Sequence, residues 1–381
     1  MPLAVERLEL SSFRNYESFR LDDLGSLTIF VGPNAVGKTN LIEALQLVTA
    51  CLSFRHPKAE HLVREGDRMA CVDARVTGSD RLLDVRMTAE PGKKRFFLNG
   101  KPKRPGDLRG TLPSVVFTPD DLNLVKSGMS HRRAALDDLG SQLSANHQVI
   151  RRDYENVIRH KNALLRDDAS DDLVWSINQM VVTVGAQLTC YRSALFAKLS
   201  RHLKQAYAQI SSSSEELECV YVPSWEAGEG SVRSCQHGCE PIGRDQAREL
   251  MERRLEELGG QERARRRSLV GPHADRIEFF IQGRNASVFG SQGQQRSVVL
   301  AWKLAEVRLI KEILGQRPVL LLDDVMSELD ADRRNQLVGF MEDSVQVFIT
   351  TTTPEYFTDD VMARALVVNL GKGGVSRETL C

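Results

Sequence analysis

Eight residues restrict this chain more than any other stretch. Gly32-Pro33-Asn34-Ala35-Val36-Gly37-Lys38-Thr39 fits the phosphate-loop spacing G-x-x-x-x-G-K-[ST] at every fixed position. Such a loop works between a buried strand and a helix. Its small residues turn backbone N–H groups into one concavity, and the helix N-terminus adds free N–H groups of its own. The flanks agree: Leu27 to Val31 reads as a buried strand and Asn40 to Leu47 as a helix. Lys38 supplies a cation for β- and γ-phosphates, and the Thr39 hydroxyl suits Mg²⁺. The expectation is an α/β chain that binds a nucleoside triphosphate along residues 32–39.

At 381 residues the chain is long enough for two domains and a sizeable core. Hydrophobic residues at 41% and charged residues at 27% are ordinary for a soluble globular protein. No run approaches the roughly 18 apolar residues of a membrane span. Met1-Pro2-Leu3-Ala4-Val5-Glu6 lacks the basic and apolar parts of a signal peptide, so a cytoplasmic protein without a membrane partner is expected. Lys plus Arg and Asp plus Glu both count 51, so a nucleic acid would have to meet local basic patches rather than a global positive field. Seven scattered cysteines read as reduced thiols. Cys235-Gln236-His237-Gly238-Cys239 looks like half a zinc site, but no second close ligand pair follows, which favours a surface loop.

Strand-like runs at Leu3–Leu10, Leu27–Val31, Ala70–Val76 and Leu82–Thr88 give the first 125 residues mixed α/β character, and Asn99-Gly100 marks a hairpin turn after Phe96-Phe97-Leu98. Residues 130–166 change character: Leu136, Leu143, Ile150, Val157 and Leu164 recur every seven residues. After the polar break at Asp167-Asp168-Ala169-Ser170, Val174, Val181, Leu188 and Leu195 keep the same spacing toward Ile210. Two helices near 40 residues, on the order of 60 Å each at about 1.5 Å per residue, should form an antiparallel, coiled-coil-like hairpin. Residues 211–244 look loop-rich, and a charged helix from Asp245 to Leu258 should end at Gly259-Gly260. Strands at Arg276–Gln282, Pro318–Leu322, Val345–Thr350 and Ala365–Leu370, with a helix at Gln294–Leu314, return the α/β pattern. The expected division is one half of an ATPase domain at 1–125, a helical arm at 126–265, and the other half at 266–381.

Val319-Leu320-Leu321-Leu322-Asp323-Asp324 is an apolar strand ending in two carboxylates, the Walker B pattern. Asp323 suits Mg²⁺, and Asp324 is the candidate base or orienter for the attacking water. Ser291-Gln292-Gly293-Gln294-Gln295-Arg296 opens a helix just before that strand, and Ser327-Glu328-Leu329-Asp330 follows it. This order of phosphate loop, Ser-x-Gly-Gln helix, Walker B and S-x-L-D resembles the ABC-type ATPase head. In that family the signature helix of one protomer completes the phosphate site of another. The resemblance therefore implies a two-subunit sandwich with ATP at the seam.

Four further strings narrow the resemblance: Phe13-Arg14-Asn15-Tyr16, Gly32-Pro33-Asn34, Leu269-Val270-Gly271-Pro272-His273 and Leu322-Asp323-Asp324-Val325-Met326-Ser327-Glu328-Leu329-Asp330. Together they are similar to the bacterial RecF family, SMC-like heads with a short helical arm, over nearly the whole chain. The resemblance implies an α/β ABC-type head with an inserted α-helical domain. It implies a slow, DNA-stimulated ATPase that binds gapped or junction DNA as an ATP-bridged dimer. With RecR and RecO such a protein assists RecA loading onto SSB-covered strands, in replication, recombination, repair and the SOS response. It also implies roles residue by residue: Arg14 and Asn15 near adenine or ribose; Asn34, Lys38 and Thr39 on phosphate and Mg²⁺; Asp323 on the metal; Asp324 on the water; and Ser291, Gly293 and Gln294 across the seam. Asp324, Lys38 and Ser291 are the catalytic candidates. His273 lies in a family motif, with a structural hydrogen bond and a catalytic task both open.

Asp324 stands where many ABC-type heads carry Glu, Thr350-Thr351-Thr352-Thr353 occupies the region of the switch His, no Gln lies near Thr118-Pro119-Asp120, and Gln292 replaces the first Gly of the usual signature. Two basic groups are candidate DNA contacts, each with a solvated face as its alternative reading: Arg253, Arg254, Arg263, Arg265, Arg266 and Arg267, and Arg151, Arg152, Arg159 and Lys161. Competing readings are an SMC-type clamp without a loading role, a transporter ATPase subunit, disfavoured by the arm and the missing switch His, and an ATPase fused to a nuclease. For the last, the short stretch after Leu370 leaves no room.

Overall fold

Period-two burial along Ala70–Gly78, where Ala70, Val72, Ala74 and Val76 face inward and the residues between them do not, makes this strand the centre of a one-sided antiparallel sheet. The structure is a computed structural model that describes residues 3–78, 81–126, 128–211, 215–226, 240–341, 346–371 and 374–378. The Cys235–Cys239 segment, read above as a surface loop rather than half a zinc site, lies outside the described residues. The chain divides into two units, 1–122 with 310–381, and 123–309.

In the first unit the antiparallel sheet runs in the order Tyr16–Leu21, Ala4–Phe13, Ala70–Gly78, Arg81–Glu90, Lys93–Leu98, Lys101–Lys103. Asn99 (φ 50°) and Gly100 (φ 74°) close its last hairpin, as the dipeptide predicts. A second sheet has the order Gly374–Glu378, Leu366–Gly371, Leu27–Val31, Val347–Thr351, Val319–Asp323, Ser114–Phe117, and only Gly374–Glu378 is antiparallel to its neighbour. Its central strands are apolar on both faces, as a buried parallel sheet requires. The helix Lys38–Thr49 shares one apolar core with both sheets, through Leu41 and Leu45 from the helix, Val72 and Met87 from one sheet, and Phe30 and Phe348 from the other. Ten of its twelve residues are buried, so the helix that opens at the phosphate loop is fixed along its length.

The second unit differs from the heptad reading in three ways. The first arm helix is interrupted at Ser144, whose backbone is extended (φ −147°, ψ 121°), leaving helices Met129–Leu143 and Ala145–Arg166. The latter's 22 residues span about 33 Å rather than 60 Å. Asp171–Ile210 keeps its predicted length of 40 residues. The helix Arg244–Arg265 runs through Gly259-Gly260 instead of ending there. Its far end is held by buried Glu262, which takes Lys161 Nζ at 2.6 Å and the Leu269 N–H at 2.7 Å, and offsets the roughly 1 kcal/mol that each helical glycine costs. Tyr154, Val157, Val181, Met251 and Leu255 form one cluster, so the packing is of three helices rather than a two-helix seam.

The loop-rich stretch contains a strand, Leu217–Val222, with Leu217, Cys219 and Tyr221 inward. It pairs with Arg276–Ile281 inside the unit 123–309, so this strand pair spans the 265/266 boundary read from the sequence. No helix among the described residues is long and apolar enough to cross a membrane.

Candidate nucleotide site

The phosphate loop is shaped by backbone angles that few side chains tolerate. Ala35 lies at φ 66° and Gly37 at φ 112°. A Cβ on Gly37 would come within 2.6–2.9 Å of the Asn15 amide and the Tyr16 hydroxyl. Asn15 donates to the Val36 carbonyl at 3.0 Å and accepts from Asn40 Nδ2 at 2.7 Å, clasping the loop to its helix. Lys38 Nζ turns back onto the Gly32 and Pro33 carbonyls at 2.6 and 3.0 Å. Burial lowers its pKa, and the Asp324 and Asp323 carboxylates oppose that shift.

Parallel pairing of Val319–Asp323 with Val347–Thr351 carries both carboxylates to the loop. Thr39 Oγ1 donates to Asp323 Oδ1 at 3.0 Å, although the two residues are 284 apart in sequence. Thr350 Oγ1 donates to the same oxygen at 2.8 Å and accepts the Asp324 N–H at 2.9 Å. Asp324 sits in the left-handed region (φ 52°), and its Oδ1 is buried without a hydrogen-bond partner among the described residues. Burial raises the pKa of both carboxyls. The Thr350 and Thr39 hydroxyls oppose it at Asp323, and the Lys38 ammonium at Asp324. A concavity where a Cβ does not fit, a buried cation and an orphaned carboxylate oxygen together suit a triphosphate with its divalent cation.

Arg14 (φ 56°) gives Nε and Nη2 to Glu43 at 2.9 and 2.8 Å. Glu43 is fully buried and also takes Ser53 Oγ at 2.7 Å and Arg55 Nη1 at 3.3 Å, so Arg14 braces the loop helix. Lys38, Thr39, Asp323 and Asp324 thus come together in the first unit, with Asn15 on the loop. Ser291, Gly293 and Gln294 belong to the second unit. There the Gln294 N–H donates to Ser291 Oγ at 3.2 Å and the Ser291 N–H to Gln294 Oε1 at 2.8 Å, a reciprocal cap that leaves Ser291 exposed at the helix start.

Thr350, which the sequence places only in the region of the switch His, bridges the two carboxylate positions. Its signal is a pair of hydroxyls, Thr350 and Thr351, at the carboxyl end of a strand that is otherwise apolar. Thr350→Val removes the hydroxyl that links Asp323 to the Asp324 N–H, while the Asp324 N–H keeps the main-chain carbonyl of residue 350 at 3.2 Å. Steady-state assays should show kcat for ATP hydrolysis lowered about tenfold, with a smaller change in nucleotide affinity, and Thr350→Ser should restore it. An unchanged kcat would remove Thr350 from the site.

His273 is held by two hydrogen bonds. Its Nε2 lies 3.2 Å from the Ser268 carbonyl, which can only accept, so Nε2 carries the proton and Nδ1 accepts from the Tyr154 hydroxyl at 2.6 Å. Burial holds the ring near a pKa of about 4. Unfolding releases it to about 6.5, so the unfolded chain binds the extra proton and stability falls as pH drops from about 6.5 toward 4. Denaturant midpoints across this window should fall more steeply for the parent than for His273→Asn. Beside it, Gly271 (φ 130°) has no space for a Cβ, which would overlap the Tyr154 hydroxyl.

Several expected DNA-contacting cations are engaged elsewhere. Lys161 is fully buried against Glu262. Arg151 is held by Asp138 at 2.8 Å and Glu155 at 3.0 Å, and Arg263 binds the Ala169 carbonyl and Asp171 at the turn of the helical hairpin. Arg152, Arg159, Arg253, Arg265, Arg266 and Arg267 are exposed.

A family model described as the RecF/RecN/SMC N terminal domain matches residues 4–376. The chain is 36% identical over 379 residues to the "DNA replication and repair protein RecF" of Alkaliphilus oremlandii, covering 98% of this chain and all of the relative. It is 33% identical over 386 residues to the protein of the same description in Heliobacterium modesticaldum, covering 98% and 99%. Among solved structures, the "recombination mediator protein RecF-ATPrS in RecFOR pathway" superposes with a TM-score of 0.87 at 28% identity, covering 99% of this chain and 98% of that one. A Pyrococcus furiosus Smc head domain, 16% identical with a TM-score of 0.52, shares the fold, covering 99% and 96%. The architecture is that of an ABC-type ATPase head.

Proposed function

Because the chain belongs to the RecF family of DNA replication and repair proteins, we propose that it is a recombination mediator whose ATPase cycle governs its grip on DNA. The loop N–H groups and Lys38 hold the triphosphate. Thr39 and Asp323 hold Mg²⁺, which when bound neutralises charge on the β- and γ-phosphates. Asp324, braced through its backbone by Thr350, accepts a hydrogen bond from the attacking water and orients it in line. The buried, unpartnered Asp324 Oδ1 is the observation that supports this chemistry most directly. Arg14 and Asn15 flank the adenine or ribose side. Ser291, Gly293 and Gln294, at a helix N-terminus that favours an anion, act on the γ-phosphate bound by a second copy.

On this reading ATP closes a homodimer on gapped or junction DNA, hydrolysis is slow and DNA-stimulated, and RecR and RecO are the partners through which RecA is loaded in the cytoplasm. Sedimentation with and without ATP, together with DNA binding across salt on gapped, single-stranded and duplex DNA, tests it. The parent should dimerise and bind DNA only with ATP, and Lys38→Met should do neither. A parent that stays monomeric at every ATP concentration, or shows no ATP-dependent DNA binding, sinks the reading.

A further inference from the structure

The hairpin formed by Lys93–Leu98 and Lys101–Lys103 carries six cations in residues 93–104 (Lys93, Lys94, Arg95, Lys101, Lys103 and Arg104) and no carboxylate, in a chain whose net charge is zero. All six are exposed. Among the described residues Arg95 alone has a carboxylate in ion-pair range, Glu90 at 3.7 Å. Pairing of Phe96 with Lys103 and of Leu98 with Lys101 sets Lys94, Lys101 and Lys103 on one face of the ribbon, and Lys93 and Arg95 on the other. The ribbon thus presents positive charge from both faces along the free edge of the sheet.

Edge protection accounts for part of this. A Lys or a Pro on an outer strand discourages edge-to-edge pairing, and Pro102 does so. Lys101–Lys103 covers only Phe96–Leu98, so Lys93, Lys94 and Arg95 also border a free edge, but three adjacent cations exceed the single Lys or Pro that edge protection needs. Alternate residues on a strand are about 6.8 Å apart, close to the separation of successive phosphates on a nucleic-acid strand. The ribbon also touches the segment that binds the helix after the nucleotide loop. Lys94 Nζ donates to the Pro57 carbonyl at 2.8 Å. In the same segment Ser53 and Arg55 bind Glu43 on the helix that follows the loop.

We propose that the 93–104 ribbon is a sequence-independent contact for the phosphate backbone of DNA, built into the ATPase unit itself. The inference rests on the DNA-binding reading above and names a surface that it does not require. The full chain carrying Lys93→Gln, Lys101→Gln and Lys103→Gln together leaves Lys94, Arg95 and the site intact. With ATP present it should bind DNA at least about tenfold more weakly than the parent. The slope of log affinity against log salt should be shallower by about 2–3, at about 0.9 for each phosphate no longer neutralised. ATP affinity and the unfolding midpoint should stay at parent values. The triple exchange of the same lysines for arginine keeps the charge and should bind like the parent. Equal affinity and slope in the glutamine variant, or equal losses in the arginine variant, overturn the ribbon while leaving DNA binding standing. A parent that binds no DNA overturns both.

Discussion

Asp324→Asn is expected to bind ATP with parent affinity and to hydrolyse it at least about 100-fold more slowly. The amide keeps the size of the side chain and the Thr350 contact to the backbone, which uses the residue 324 N–H and not its carboxyl. It loses the capacity to take a proton. The buried Oδ1 has no protein partner among the described residues, so the wild-type carboxylate has an acceptor to offer a water. Burial also raises its pKa, making it a better base than an exposed aspartate, within the limit set by the Lys38 ammonium. Single-turnover hydrolysis checks the rate, and sedimentation should find the variant held as an ATP-bound dimer. Turnover at the parent rate would move the water-orienting role to another group.

Asp137→Ala should destabilise the second unit by about 3–5 kcal/mol. Asp137 and Arg192 are both nearly inaccessible and pair through two hydrogen bonds of 2.8 and 2.6 Å, with His147 Nε2 at 3.1 Å from the same carboxylate. Burial alone would raise the Asp137 pKa, but the Arg192 guanidinium and the His147 hydrogen bond hold it below the ordinary carboxylate range. Removing the carboxylate strands a buried guanidinium whose other contact is the Pro272 carbonyl at 2.5 Å. The destabilisation is therefore that of an unpaired buried charge, not of one ion pair. The three tryptophans, Trp175, Trp225 and Trp302, all lie in the second unit, so their fluorescence during urea unfolding reads this unit selectively. A midpoint within error of the parent would show that water reaches Arg192.

Local patterns carried much of the nucleotide site. The loop spacing, the apolar strand before it and the double carboxylate at Asp323-Asp324 are contiguous strings whose chemistry needs those residues in that order. Strands with clean alternation, such as Ala70–Gly78, were also readable, as was the Asn99-Gly100 turn. The strand Leu217–Val222 was hidden because glutamates and serines precede it and its partner residues lie 54 (Val222 to Arg276) to 64 (Leu217 to Ile281) positions on. The break at Ser144 and the helix through Gly259-Gly260 escaped for a related reason. Heptads continue across the first, glycines ordinarily stop a helix at the second, and in the second case tertiary contacts to Glu262 outweigh local preference.

Chemical identity at the nucleotide site is therefore local: a Gly-rich turn, a lysine and two carboxylates are needed whatever surrounds them. Charge assignments are not. Lys161 and Arg151 look like Arg152 and Arg159 in a string of letters, yet Lys161 is buried against Glu262 and Arg151 is paired, whereas Arg152 and Arg159 face solvent. Likewise Thr350 gains its part only when parallel pairing sets it between Asp323 and Asp324, and the role of His273 follows from the Tyr154 hydroxyl 119 residues away. Burial and long-range hydrogen bonds depend on which segments the fold brings into contact, and no local string encodes that.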